Sequence, residues 1–293
     1  MTAKRVFVRE LSKSVPTSMA LSAFSLGKSS FFYVESSVEK NQKTKPLDPQ
    51  LSQRLLELSD FELTLGYRKI AAYLSTNFGL IYNKKRVYRH MKKLKLLQPR
   101  VFKRHRKSAK SAEIKFYSAI KSNVRWEADL TVVSHSDGQL YLFSVMDTYD
   151  KEVIGHWIGF RCRSDEAIQA LKQAVLARFP SGSVPQALEV ILRLDRGCQF
   201  TSKDFGDAAR TLGVRTEFCD VQAPNQKPFI ESFFSNYKRE EVYRNDYQNA
   251  TQACLNWSRY VDWYNTSRPP ASLGFRSPIQ FRSKNDTHSL IAA

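Results

Sequence analysis

The strongest constraint on the fold is a change in hydrophobic rhythm. After Val124 the chain passes through three strand-like runs in close succession: 124–133 (VRWEADLTVV), 140–146 (LYLFSVM) and 153–160 (VIGHWIGF). They are rich in β-branched and aromatic residues, and the first alternates with the period of a half-buried strand. Ser136-Asp137-Gly138 is a hairpin turn between the first two. Helix and strand patterns then alternate. A helix over 164–179 has Ser164 as cap, with Ala167, Leu171, Val175 and Leu176 inward. It is followed by a strand over 189–194, a helix over 202–212, a strand over 215–218 and helices over 228–243 and 250–265, then a Pro-containing tail. This order predicts an α/β fold, a mixed sheet flanked by helices.

Before Val124 the pattern is all-α. Two short helices flank Gly27, residues 41–49 form a polar linker, and a short amphipathic helix covers 51–58. A helix over 67–77 puts Ile70, Ala71 and Leu74 on one face, and Phe78-Gly79-Leu80 turns the chain. Asn83 can cap a second helix over 84–95, with Val87, Met91 and Leu94 at helical spacing. Two helices about a Gly-containing turn, the second strongly basic, make a helix-turn-helix pattern. The expected organisation is an amino-terminal helical region over 1–50, a helix-turn-helix domain over 51–99, a basic linker over 100–120, an α/β core over 121–249, and a carboxyl-terminal helix and tail over 250–293.

Charge narrows the partner. Lys and Arg number 46 against 28 Asp and Glu, a formal balance of +18. Thirteen of those bases fall between Lys84 and Lys110, a stretch without one acid. Such a run repels itself unless a polyanion meets it, and nucleic acid fits better than an anionic membrane surface. Lys84, Lys85, Arg86, Arg89, Lys92, Lys93, Lys103 and Arg104 are the candidate DNA contacts. With 42% hydrophobic residues a packed core is expected. No apolar run is long enough to span a membrane, and no apolar stretch follows the basic amino terminus as a secretory signal would. Cys162, Cys198, Cys219 and Cys254 form no paired motif, so neither a zinc site nor a disulfide framework is expected. Gly27-Lys28-Ser29 lacks the upstream glycine of a P-loop.

Three acids stand at places that suggest chemistry: Asp129 on the first strand, Asp195 closing the fourth, and Glu231 in the first turn of the long helix. Adjacent first and fourth strands would bring the two Asp residues together. Converging carboxylates repel unless a cation holds them, and Mg²⁺ prefers oxygen ligands. Bland readings stand beside this one: Asp195 as a turn residue, Glu231 as an acid favoured by the helix dipole. Asp147, Glu127, Glu217 and Glu240 compete for the same role.

Several segments together resemble the integrase-core transposases of the retroviral-integrase superfamily, and within them the OrfB-type transposases of two-frame insertion sequences. They are GYRKIAAYL with NKKRVYRHMKKLKL, WEADLT, YLFSVMDTYDKEVIGHW, LRLDRGCQFTS, IESFFSNYKRE and YNTSRPPASLGFRSPIQF. Thirty-five residues separate Asp195 from Glu231, the spacing of this group. The resemblance implies an RNase H-like core that performs metal-dependent strand cleavage and strand transfer at element ends. It implies Asp129, Asp195 and Glu231 as catalytic residues and as ligands of two Mg²⁺ ions, with Mn²⁺ able to substitute, and Lys238 beside the DNA end. It further implies terminal inverted repeats and target DNA as partners, a homo-oligomer, cooperation or fusion with a first-frame protein, no membrane partner, and a cytoplasmic, nucleoid-associated location. A nuclease without strand transfer and a domesticated non-catalytic DNA-binding protein are the alternatives. One departure stands out: Gln226, Lys227 and Pro228 occupy the places where the group often carries Asp-Asn-Ala.

Overall fold

A computed structural model describes residues 2–31, 46–58, 60–98, 119–220 and 226–291. The chain divides into two units, Met1–Leu47 and Asp48–Ala293. In the first, α1 (Thr2–Leu11), α2 (Thr17–Ala23) and α3 (Lys28–Phe31) enclose Val8, Ala20, Leu21 and Phe31. The last two helices flank Gly27 as the pattern predicts, whereas α1 had no counterpart in the sequence reading.

The second unit opens with α4 (Pro49–Leu56), α5 (Asp60–Leu63), α6 (Tyr67–Phe78) and α7 (Lys84–Lys93). Asp48 caps α4, its carboxylate accepting the Gln50 N–H at 3.0 Å. Gly79 ends α6 at φ +67°, a left-handed position that glycine takes at little cost. The Asn83 side chain accepts the Lys85 N–H at 2.9 Å and starts α7. Ile70, Ala71, Leu74, Val87 and Met91 are buried, as their spacing predicts. His90 is buried too, its Nε2 accepting the Asp48 N–H at 2.8 Å.

The sheet follows: β1 (Arg125–His135), β2 (Gly138–Asp147), β3 (Val153–Gly159), then α8 (Ser164–Arg178), β4 (Val190–Leu194), α9 (Cys198–Thr201), α10 (Lys203–Thr211), β5 (Val214–Phe218), α11 (Pro228–Glu240), α12 (Ala250–Thr266) and α13 (Pro278–Ile291). Strand order is β3-β2-β1-β4-β5. β1 pairs antiparallel with β2 across a two-residue turn, with His135 opposite Gly138, and parallel with β4. This is the expected RNase H-like mixed sheet with helices at the amino terminus.

Each sheet face has its own core. One buries Trp126, Phe143, Leu171, Leu192 and Phe205, from the sheet, α8 and α10. There β3 meets α8 so closely that a Cβ at Gly155 would lie 2.2 Å from the Ala170 carbonyl. The other face joins Val133 and Leu142 to Phe233, Tyr237, Trp257 and Tyr260. This second core continues without a break into Leu51, Leu55, Ile70, Leu74, Val87 and Met91 of the helix-turn-helix segment. Glu62 on α5 joins the parts, accepting from Trp263 Nε1 at 2.8 Å and from the Tyr73 hydroxyl at 3.1 Å.

Three local readings are corrected. Ser164 is the first residue of α8, not its cap; the Arg163 N–H there donates to the Glu166 carboxylate at 3.1 Å. Leu176 points outward and is 55% exposed. The tail after Asn265 contains α13, which amphipathic periodicity did not mark. Among the described residues no helix is long and apolar enough to cross a membrane. Lys103, Arg104 and most of the 100–120 segment lie outside the described residues.

Candidate active site

Strand pairing builds the site. Glu127 on β1 is opposite Arg193 on β4, so two residues further along the same parallel pair Asp129 stands beside Asp195. Asp129 lies within β1; Asp195 directly follows β4 and accepts the Gly197 N–H at 3.1 Å. The parallel geometry thus sets two carboxylates side by side, as the adjacency of first and fourth strands predicts.

The two acids meet a cation. Lys227 Nζ lies 2.9 Å from Asp129 Oδ1 and 3.4 Å from Asp195 Oδ2, and donates to the Ala128 carbonyl at 3.2 Å. Its side chain is only 7% exposed, while Asp129 and Asp195 are 19% and 45% exposed. One shared ammonium thus holds the two carboxylates close together. Glu231 stands in the first turn of α11, within the electrostatic reach of Asp129 and Lys227. Partial burial pushes its carboxyl above the usual range, the Asp129 charge adds to the rise, and Lys227 opposes it. Among the described residues no three His, Cys, Asp or Glu side chains close on one metal-sized point. The Lys227 ammonium lies between Asp129 and Asp195.

The start of α11 is held residue by residue. Arg193 Nη1 donates to the Gln226 carbonyl at 3.1 Å, fixing the chain just before Lys227. Pro228 at the first helical position has no N–H to satisfy. Glu127 Oε2 accepts the next two N–H groups, from Phe229 at 3.1 Å and Ile230 at 2.9 Å. The Glu231 N–H reaches the Lys227 carbonyl at 3.1 Å. Glu127 thus takes both free N–H groups of the first turn, and the intrahelical ladder begins at Glu231. Burial raises the Glu127 carboxyl to about 7 against the pull of these N–H groups, Lys151 and Arg193.

The competing acids have structural partners. Glu217 pairs with Arg193 and Arg125. Asp147 accepts the Asn123 N–H at 2.7 Å and the Tyr149 N–H at 2.8 Å. Glu240 receives Arg268 Nε at 2.8 Å, Arg268 Nη2 at 2.7 Å and the Tyr260 hydroxyl at 2.9 Å. Arg268 belongs to the YNTSRPP segment, so this stretch braces the far end of α11. In the same segment Asn265 closes a pair of hydrogen bonds with the Val153 backbone, at 3.0 and 2.9 Å. The sequence reading took Glu127 only as a competitor for the site and gave Arg268 no role. The departure at Lys227 was the one available signal of a cation inside the site.

The basic candidates separate into groups. Lys84, Lys85, Arg86, Arg89, Lys92 and Lys93 all lie exposed on α7. Arg86 is paired with Asp48, and its guanidinium sits 5.3 Å over the Tyr82 ring. Lys238 is half-buried on α11, two turns after Glu231 and therefore on the same helix face.

Comparisons with known proteins match this layout. Family profiles described as "Integrase core domain" match residues 119–224 and 212–278, and one described as "HTH-like domain" matches 47–106. A 31 kDa protein of insertion element IS600 from Shigella sonnei is 28% identical over 235 residues, covering 75% of this chain and 82% of that protein. A transposase for insertion sequence element IS904 from Lactococcus lactis subsp. lactis is 25% identical over 170 residues, covering 58% of this chain and 65% of that one. The integrase catalytic core domain of HTLV-2, solved in complex with magnesium, superposes with a TM-score of 0.43 at 14% identity, over 56% of this chain and 98% of that one.

Proposed function

We infer the site chemistry from one premise: the chain belongs to the integrase-core transposases of insertion sequences, and it is a DNA transposase. Asp129, Asp195 and Glu231 are its catalytic acids. The observation that carries this assignment is the cation between Asp129 and Asp195, with the Asp129 charge acting on Glu231 at the start of α11.

The residues fit divalent ions. They offer carboxylate oxygens only, the donor type that Mg²⁺ and Mn²⁺ take, and the Lys227 ammonium marks the space as one where positive charge is stabilised. Two Mg²⁺ ions held there would activate the attacking oxygen and stabilise the leaving one in phosphodiester exchange. The protein's share is positional. β1 and β4 hold two ligands on rigid backbone, and Glu127 anchors the helix that presents the third. Lys238, on the Glu231 face of α11, meets a phosphate near the scissile end. Lys84, Lys85, Arg89, Lys92 and Lys93 hold element-end DNA along α7, and Lys103 and Arg104 extend that contact; Arg86 first supports α4 through Asp48. Joining two terminal inverted repeats to target DNA calls for at least two copies of the chain, acting alone or with a first-frame protein, at the nucleoid in the cytoplasm.

The test uses purified protein, a short duplex carrying the element's ends, and Mg²⁺ or Mn²⁺. Asp195→Asn and Glu231→Gln should each lower cleavage and joining by about a thousandfold, the equivalent of the several kcal/mol that bound ions supply. Full activity in either variant overturns the assignment. Hydrolysis without joining in the parent protein would reduce the function to that of a nuclease.

A further inference from the structure

Lys227 is the one charged side chain in the site that the proposed chemistry does not use, and its position is built with care. Its backbone is pinned from both sides, by Arg193 on the Gln226 carbonyl and by Glu127 on the first N–H groups of α11. Gln226 itself is tied to Asp220 by two side-chain hydrogen bonds of 2.9 Å. The side chain is buried and has two carboxylates and one carbonyl as partners. A lysine this buried stays charged only where anions surround it, and here those anions are the proposed metal ligands.

We propose that Lys227 is a resident counter-cation that keeps Asp129 and Asp195 together before metal arrives, and that divalent ions bind only when its ammonium leaves them. This rests on the assignment of Asp129 and Asp195 as metal ligands. The physics is competition. Without a cation, two carboxylates this close repel each other. With the ammonium between them, the ligand geometry is preserved, but an incoming ion must displace a like charge at contact distance. Lys227 is thus a positioning residue that trades metal affinity for an ordered site. Its stem is tethered at the start of α11, so the displaced ammonium stays beside the two carboxylates, where a DNA phosphate can receive it.

The experiment is Mn²⁺ binding to the full chain without DNA, followed by electron paramagnetic resonance, with thermal unfolding recorded in chelator and in saturating Mn²⁺. Lys227→Gln should bind Mn²⁺ about tenfold more tightly than the parent, since one contact-distance positive charge is gone. It should also melt lower in chelator and gain more from added metal. Lys227→Arg, which keeps the charge, should bind Mn²⁺ as weakly as the parent. Unchanged or weaker binding by Lys227→Gln overturns the proposal. Should that variant not fold, the parent protein decides the matter: reductive methylation of Lys227, read by mass spectrometry, should be slow in chelator and several-fold faster in Mn²⁺, and equal rates overturn the proposal. Asp129→Asn and Asp195→Asn separate the two ideas. If they abolish Mn²⁺ binding while Lys227→Gln leaves it unchanged, only the role of Lys227 fails. If they too leave it unchanged, the metal site fails with it.

Discussion

At its carboxyl end α11 gives Glu240 to Arg268 and Tyr260 in a cluster where the ion-paired side chains are 2% and 3% exposed. At its amino end Glu231 lies within the electrostatic reach of Asp129, and one lysine stands between Asp129 and Asp195. The two ends use the same carboxylate chemistry and differ in how completely it is matched. A bidentate guanidinium and a hydroxyl leave Glu240 little left to bind. A single ammonium leaves most lone pairs of Asp129 and Asp195 open to a metal ion or to water. Acids that hold the structure together carry full partner sets; acids available for chemistry carry partial ones.

The largest effect should come from breaking the closed end. Arg268→Ala leaves the buried Glu240 with the exposed Arg239 as a counter-charge, at 3.2 Å, and losing the buried partner should cost about 3 kcal/mol. Urea unfolding of Arg268→Ala should show this drop, whereas Asp195→Asn, at the half-open end, should unfold near the parent midpoint while losing activity. Were Asp195→Asn the more destabilised of the two, the contrast between the ends would be wrong.

An intermediate effect belongs to Glu127, which connects the sheet to the open end. Burial lifts its folded carboxyl from 4.5 to about 7. A raised carboxyl contributes stability that is complete below the ordinary range and is lost as pH rises through about 7. Stability of the parent, measured in chelator, should therefore fall across that interval by up to about 3 kcal/mol. Glu127→Gln can still accept the Phe229 and Ile230 N–H groups and has no proton to lose, so its stability should stay flatter there. Parallel pH profiles for the two proteins would show that Glu127 does not carry this term.

The same contrast explains what could be read from the chain. The sheet was legible because β1 alternates, β2 and β3 are rich in β-branched and aromatic residues, and a clear turn stands at Ser136-Asp137; the neighbouring of β1 and β4, open in the sequence, is seen in their parallel pairing. Asp129 on the first strand, Asp195 closing the fourth and Glu231 at a helix start stood out by position, and the structure brings Asp129 and Asp195 to one lysine. Glu127 was seen only as a competitor, since spacing cannot tell an acid that accepts helix N–H groups from one that holds a metal. Arg268 was invisible, because its partner Glu240 lies 28 positions earlier and nothing local links them. The helix α13 was missed for a similar reason: long-range ties such as Arg282 to Glu152 at 2.8 Å hold it, and its sequence has little periodicity.

The smallest effect on stability, and the sharpest on binding, belongs to α7. Its exposed bases differ from both ends of α11 in having water as their main surroundings. Charges of that kind contribute little to folding, typically within about 0.5 kcal/mol. Their worth lies in displacing counterions from DNA, where each lost phosphate contact reduces the slope of log affinity against log salt by about 0.9. The double variant Lys85→Ala, Lys92→Ala should therefore unfold with the parent and show a salt slope shallower by up to about 2 in a DNA-binding titration. Arg86→Ala should behave differently, because Arg86 is already engaged with Asp48 at the start of α4. It should lose some stability with less change in slope. If Arg86→Ala altered the slope more than the double variant, the basic face of α7 would be oriented on DNA through Arg86, and the Asp48 pair would have to open on binding.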